Sequence, residues 1–209
     1  MRRWIATMLA GAGLAALCGC QGLYFLMAKE PKKSVSAECD KLAGKLTAIV
    51  VWADQSTLDD DYAVRYRVAD SLRYGLSRDV KGARFVDVRE VTGYQERSGS
   101  DWEAESNAEL AQRFKADYVL RVDLLEYTSR ARDAREVRKG RVRATLSLYA
   151  AGGADAGTPV YSTEIMGSYP NDAKTDVLNL RDADILSGAL QVFSEKAAQK
   201  FFDHQEAYP

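Results

Sequence analysis

A Ser-His-Asp set or a histidine metal site in this chain would have to use its one histidine, His204, and thiol chemistry would have to use one of three cysteines, Cys18, Cys20 and Cys39. His204 falls near the end of the last expected helix, where the helix dipole favours a cation, so catalysis is not needed to explain it. Cys39 has neither a CxxC partner nor a histidine close in sequence, which a zinc site would require. We therefore predict no catalytic residue, no metal site, no cofactor and no enzymatic activity.

Four aspartates form a second group that could bind a cation, namely Asp54, Asp59, Asp60 and Asp61. Their spacing lacks the alternating ligands and the central glycine of a calcium loop. Acidic residues are favoured at the start of a helix by its dipole, and that accounts for the run. We expect Asp59–Asp61 to open a helix rather than to hold an ion.

A basic segment is the third group, with seven basic residues among the fourteen from Arg130 to Arg143. Its loop arginines, Arg130, Arg132, Arg135 and Arg138, could contact phosphate-bearing headgroups or an acidic patch of a partner. A solvated loop that protects the ends of a sheet explains the same residues, and the sequence leaves both interpretations open. Nucleic acid is excluded as a partner because the formal net charge is −1 and the segment lacks stacking aromatic residues.

The amino terminus joins Arg2 and Arg3 to an uncharged run, as export signals do, and the run contains the stretch "LCGC". This stretch resembles the bacterial lipobox, which implies cleavage between Gly19 and Cys20 and attachment of diacylglycerol and palmitate to Cys20. Several acyl chains anchor a protein firmly, since each buried methylene contributes ~0.8 kcal/mol. In the same family Gln21 implies sorting to the outer membrane of a Gram-negative cell, with the chain facing the periplasm.

An uncleaved membrane anchor is the alternative, because the 25 residues from Trp4 to Ala28 carry no charge. A span needs ~20 apolar residues. Lys29, Lys32 and Lys33 would then follow the span on its outer side, which opposes the positive-inside rule. The lipoprotein interpretation is therefore preferred, and both interpretations place the rest of the chain outside the cytoplasm.

Hydrophobic patterns predict the elements of the folded part. Expected strands are Leu46–Ala53, Ala83–Val91, Asp117–Tyr127, Arg141–Tyr149 and Val160–Met166. Expected helices are Ser36–Ala43, one opened by Asp59–Asp61 and continuing through Leu76, one from Trp102 to Lys115 with Asn107 as a capping residue, and one from Ala183 to His204. This order, β-α-β-α-β-β-β-α, predicts an α/β (α+β) two-layer sandwich whose mixed sheet includes an antiparallel meander. The expected organisation is a signal peptide over 1–19, a lipidated cysteine and tether over 20–37, and a single domain over 38–209.

Three phrases in this order carry a resemblance: "TAIVVWAD", "AELAQRFKADYVLRVDLLEY" and "RATLSLYAAGGADAGTPVYSTE". They resemble the periplasmic domain shared by CsgG-type, PelC-type and LpoB-type lipoproteins and by the amino-terminal domain of TolB. The resemblance spans Lys45 to Phe202 and implies a non-enzymatic accessory of a secretion or envelope-biogenesis machine. It also implies envelope protein partners and leaves a homo-oligomer open.

Two other functions compete with that expectation. The "ADY-L" strand and the hairpin after it also resemble auxiliary lipoproteins of ABC-type envelope transporters, which lack a counterpart of the helix from Trp102 to Lys115. A periplasmic ligand-binding protein or hydrolase is the alternative of another class, and it lacks a nucleophile and base in the sequence.

Overall fold

The computed structural model describes residues 32–130, 138–152, 157–170 and 180–207. Within these ranges no helix combines the length and the apolar character that a membrane crossing requires. The proposed signal peptide, with Gly19 and Cys20, lies outside the described residues.

Five strands form the main sheet, in the order β3-β2-β4-β5-β6. The strands are β1 (Lys32–Val35), β2 (Leu46–Trp52), β3 (Arg84–Phe85), β4 (Tyr118–Arg130), β5 (Arg138–Ala150), β6 (Tyr161–Tyr169) and β7 (His204–Ala207). Strand β2 runs parallel to β3 and β4, whereas β4, β5 and β6 form the expected antiparallel meander. Strands β1 and β7 pair in a separate two-stranded sheet.

Helices cover both faces of the main sheet. They are α1 (Gln55–Asp60), α2 (Val64–Asp79), α3 (Val88–Arg97), a 3₁₀ turn (Asp101–Ala104), α4 (Asn107–Arg113) and α5 (Asp182–Gln199). Helices α2 and α5 pack on one face and bury the larger core, which includes Leu72, Leu120 and Phe193. A smaller layer made by α3, the 3₁₀ turn and α4 covers Val50 and Val119 on the other face.

This arrangement confirms the predicted mixed α/β class. Strand β2 is apolar on both sides because it lies between the two helical layers, as its unbroken β-branched run indicated. Strand β4 alternates as predicted, since Leu120, Val122 and Leu124 face the larger core.

The predicted strand over Ala83–Val91 is wrong beyond its first residues. Pairing with β2 stops at Phe85, and the carboxylate of Asp87 accepts a hydrogen bond from the backbone amide of Arg89. This cap starts α3, whose buried residues include Val88, Val91 and Gln95.

Three smaller predictions also change. Residues 36–43 contain a turn rather than a helix, and the helix expected over 102–115 is divided into the 3₁₀ turn and α4. The capping residue of α4 is Ser106, one position before the expected Asn107, and it forms a reciprocal capping box with Glu109. The last helix ends at Gln199, so His204 lies in β7.

Candidate functional site

An open groove of about 680 Å³ runs between α2 and α5. The two helices approach closely along its floor, where the Ser71 hydroxyl donates a hydrogen bond of 3.4 Å to the Leu190 carbonyl. Gly75 allows this approach, because a methyl group at its position would lie 3.2 Å from the Ser194 carbonyl oxygen. Small residues thus keep the floor shallow, and longer side chains form the rims.

Tyrosine rings dominate the rims of the groove. Tyr74 leaves 63% of its surface exposed, and the half-buried Tyr66 of α2 and Tyr127 of β4 also line the groove. The Tyr127 hydroxyl lies 3.4 Å from an Asp61 carboxylate oxygen, which also accepts a 2.7 Å bond from Arg67. Burial, followed by the nearby charge of Asp61, raises the pKa of Tyr127. This phenol is therefore neutral at physiological pH and available as a hydrogen-bonding group.

Charged side chains along α2 are held in local ion pairs. Asp61 pairs with Arg67, Asp70 pairs with Arg73 at 2.8 Å, and Arg78 binds Asp79 through two nitrogens. In two of these pairs the arginine is more exposed than its aspartate: Arg67 at 52% against 13%, and Arg78 at 48% against 21%. The rim is thus close to neutral but presents guanidinium groups at its surface.

The hydroxyl groups in the floor of the groove already have backbone acceptors. Ser194 donates to the Gln191 carbonyl at 3.0 Å, as Ser71 does to that of Leu190. A nucleophile needs a neighbouring base that accepts its proton, and these hydroxyls donate to carbonyl oxygens instead. The arrangement therefore offers shape, aromatic surface and hydrogen bonds.

Two of the loop arginines of the basic segment, Arg130 and Arg138, lie in the described part of the chain, and both bond within it. Arg130 pairs with Asp182 at 3.3 Å, and Arg138 donates to the Leu180 carbonyl just before α5. Arg132 and Arg135 lie outside the described residues. The contact with headgroups or with an acidic partner stays a prediction, and it would compete with these internal bonds.

The other residues that could do chemistry are dispersed. Asp54 caps α1 through the backbone amide of Thr57, which lowers the pKa of Asp54, and Asp61 bonds to Ala63 and Arg67. Cys39 is buried, and that burial raises the pKa of its thiol. Over the described ranges, no three histidine, cysteine or acidic side chains are placed to hold a metal ion.

Sequence reasoning did not identify the groove. The hydrophobic pattern of the sequence gives Tyr66, Tyr74 and Tyr127 no functional role. The signal in the sequence was the spacing of Tyr66 and Tyr74, which are eight residues apart and therefore lie about two turns apart on the same side of the helix. The partner helix, α5, lies more than a hundred residues further along the chain, and no local pattern indicates that contact.

Comparison with known proteins gives structural likenesses only. No protein-family model and no curated protein matches this chain. A solved PelC dodecamer from Paraburkholderia phytofirmans is 12% identical, with a TM-score of 0.45, over 82% of this chain and 98% of its own. Lipoprotein GNA1162 from Neisseria meningitidis is 16% identical, with a TM-score of 0.42, over 62% of this chain and 87% of its own.

A minor lipoprotein from Acinetobacter baumannii is a further likeness, 14% identical with a TM-score of 0.35, over 77% of this chain and 92% of its own. PelC and other bacterial lipoproteins are therefore among the solved structures that resemble this chain, as the sequence predicted.

Proposed function

We propose that this chain is a lipid-anchored protein of the bacterial envelope whose folded domain binds a partner protein without catalysing a reaction. The partner would belong to a secretion or envelope-biogenesis machine. The groove between α2 and α5 carries the proposal, because it combines exposed tyrosine rings with a rim that is close to neutral.

Tyrosine and arginine are the side chains that protein-binding surfaces use most. A tyrosine supplies a large contact area with only two rotatable bonds, so binding costs little conformational entropy. Tyr74 is the best anchor here because its ring is largely exposed while Gly75 and Ser71 keep the adjacent floor low. Arg67 and Arg78 lie near the two ends of the same helix and can donate hydrogen bonds to carboxylate or carbonyl oxygens of a bound chain.

The lipid anchor rests on the sequence. The lipobox-like stretch ending at Cys20 and the lysines that follow support a cleaved, acylated amino terminus, and Gln21 supports the outer membrane facing the periplasm. A domain held beside the membrane meets partners confined to the same layer, which raises their effective concentration. Self-association of the chain is compatible with this role.

Photocrosslinking in intact cells tests the groove. Benzoylphenylalanine placed at position 74 is expected to give one defined adduct that mass spectrometry identifies as an envelope protein. Position 62 is the matched control, because Tyr62 is 85% exposed but lies outside the groove.

Recovery of that partner should fall about tenfold with Tyr74→Ala and stay unchanged with Tyr62→Ala, since interface anchors contribute more than ~1 kcal/mol. Equal adducts from both positions, or equal effects of both substitutions, would contradict the proposed role of the groove.

Metabolic labelling with a palmitate analogue tests the anchor. We expect Cys20→Ser to abolish the label and Cys18→Ser to leave the sulfur-linked label in place. Undiminished labelling of the Cys20→Ser chain would refute lipidation at this residue and leave the interpretation of the groove unaffected.

A further inference from the structure

The groove is formed by two helices, α2 and α5, that run in the same direction where they touch. Ser71 donates to the Leu190 carbonyl, and one turn further along both helices Gly75 lies against the Ser194 carbonyl. Because the contact advances by one turn on each helix at once, the two helices point the same way along the groove. Side chains of a third helix can pack into the furrow between two such helices, as ridges pack into grooves.

The lining of the groove extends over similar lengths of the two helices. On α2 it includes every fourth residue from Tyr66 to Arg78, and on α5 every fourth residue from Ala183 to Glu195. A stretch of this length rises about 18 Å in a helix, at about 1.5 Å per residue. The groove therefore matches the length of a bound helix of about twelve residues.

The described walls of the groove offer an extended chain no backbone partners. Along the central turns of α2 and α5 the amide and carbonyl groups are bonded within each helix, and the hydroxyls of Ser71 and Ser194 donate to carbonyl oxygens of α5. An extended peptide gains much of its affinity from backbone bonds to the edge of a sheet. A helical segment has already made its backbone bonds, so side-chain packing is enough to hold it.

Arginines at the two ends of the α2 wall add a requirement for charge. Arg67 and Arg78 are eleven residues apart, which is about three turns, so they lie on one side of the helix and about 16 Å apart. Each pairs with an aspartate that is less exposed than itself. The carboxylates of the lining, Asp70 and Glu195, already accept hydrogen bonds from neighbouring side chains. A bound helix is therefore expected to carry an acidic residue near each end of its apolar face.

We propose that the occupant of the groove is an amphipathic α-helix of another envelope protein, with an acidic residue beside each of Arg67 and Arg78. Its apolar face would pack on the exposed ring of Tyr74 and on Leu186, which is half-buried in the opposite wall. Recognition of a helix in a groove uses apolar anchors at positions i, i+3 or i+4, and i+7 of the bound helix. This inference rests on the proposed function, since it names the form and charge of the segment that the groove binds.

Photocrosslinks from two positions of α2 measure the conformation of the bound segment. Tyr66 and Tyr74 both line the groove, and they are eight residues apart, or about 12 Å along the helix. With benzoylphenylalanine at each position in turn, mass spectrometry locates the partner residue that forms the adduct. A bound helix advances about 1.5 Å per residue, so the two adducts should lie about eight residues apart. An extended or polyproline segment advances about 3.1–3.4 Å per residue and would place them about four apart.

The spacing of the adducts separates this inference from the proposed function. Adducts about four residues apart in one partner would overturn the helical form, while the defined adduct from position 74 would still support the groove as a binding site. An adduct with a second copy of the chain, an adduct within the chain itself, or no adduct from position 74 would overturn both.

Charge reversal tests the acidic ends of the bound helix. Arg67→Glu and Arg78→Glu should each lower recovery of the partner about tenfold, because a repulsive pair replaces an attractive one. Arg89→Glu and Arg97→Glu are the matched controls, since both residues are exposed on α3 and lie outside the groove.

Circular dichroism establishes that each of these variants is folded. Lysine in place of the partner's acidic residue nearest the crosslink should restore binding to the Arg78→Glu chain. Recovery that is unchanged in both groove variants, or that falls equally in the α3 controls, would overturn the proposed acidic ends.

Discussion

Replacement of Gly167 by alanine should destabilise the protein because this glycine allows α5 to lie directly on the sheet. A methyl group at position 167 would lie 2.6 Å from the Phe193 Cβ, and closer still to the Ala189 carbonyl oxygen and the Phe193 amide nitrogen. Ordinary van der Waals contacts begin near 3.4 Å, so the helix would have to move by about 1 Å. Two of these atoms belong to the backbone of the helix, and a change of rotamer cannot relieve the clash.

The magnitude follows from two opposing contributions. Overpacking of a core costs typically about 1–3 kcal/mol, and contact with backbone puts this site near the upper limit. Alanine leaves the unfolded chain with less conformational entropy than glycine does, which stabilises the folded state by roughly 0.5–1 kcal/mol. We therefore expect the free energy of unfolding to fall by about 2 kcal/mol, which lowers Tm by about 4–8 °C for a chain of this length.

Thermal and urea unfolding, followed by circular dichroism, measure the change. Gly152→Ala is the matched control, since a methyl group at position 152 meets no atom within 4 Å. It should leave Tm unchanged or raise it slightly. If Gly167→Ala melts within 1 °C of the Gly152→Ala chain, α5 does not contact β6 as closely as described here.

Two further substitutions test local interactions of the fold by the same unfolding measurements. Ser106→Ala removes the hydroxyl of the capping box and should cost about 1 kcal/mol, whereas Asn107→Ala, at the position that the sequence suggested, should cost less; equal losses would argue against the observed cap. Bonds of 2.6 Å from Lys200 and 2.7 Å from Tyr161 lower the pKa of Glu38. A carboxylate with a lowered pKa stabilises the folded state above its unfolded pKa, and that contribution disappears as the pH falls through the folded pKa. Glu38→Gln should therefore reduce stability at pH 7 by less than about 1 kcal/mol, because the pair is partly exposed, and the difference should vanish near pH 3; a difference that persists there would refute the ion pair as its cause.

The sheet could be predicted from the sequence because its patterns are local. Leu46–Trp52 is apolar at every position except Thr47 since both of its faces are covered, and β4 alternates since β5 and β6 continue a sheet with one apolar face. The order of β4, β5 and β6 follows from short connections between neighbours, whereas β2 and β4 pair across residues 53–117 and no local pattern indicates that pairing.

The start of α3 was predicted as a strand because the two-residue period of a strand and the 3.6-residue period of a helix fit the same residues. Val86, Val88 and Val91 suit a strand as well as the start of a helix, and the β-branched residues favoured the strand. The deciding signal was Asp87 followed three residues later by Glu90, which is the spacing of a capping pair. Asp59–Asp61 were predicted to open a helix because acidic residues are favoured at a helix start. Instead, Asp59 and Asp60 end α1, and Asp61 caps the turn into α2.

The groove could not be found from the sequence because it is formed by two helices that are distant along the chain. Tyr66 and Tyr74 both lie on α2, yet their spacing alone does not distinguish a buried face of the helix from an exposed one. The distinction comes from α5, which packs along α2 at Ser71 and Gly75 and leaves the ring of Tyr74 exposed beside the contact. A larger residue at position 75 would push the two helices apart, because even a methyl group there would lie 3.2 Å from the Ser194 carbonyl oxygen, so the shape of the groove should depend on this glycine.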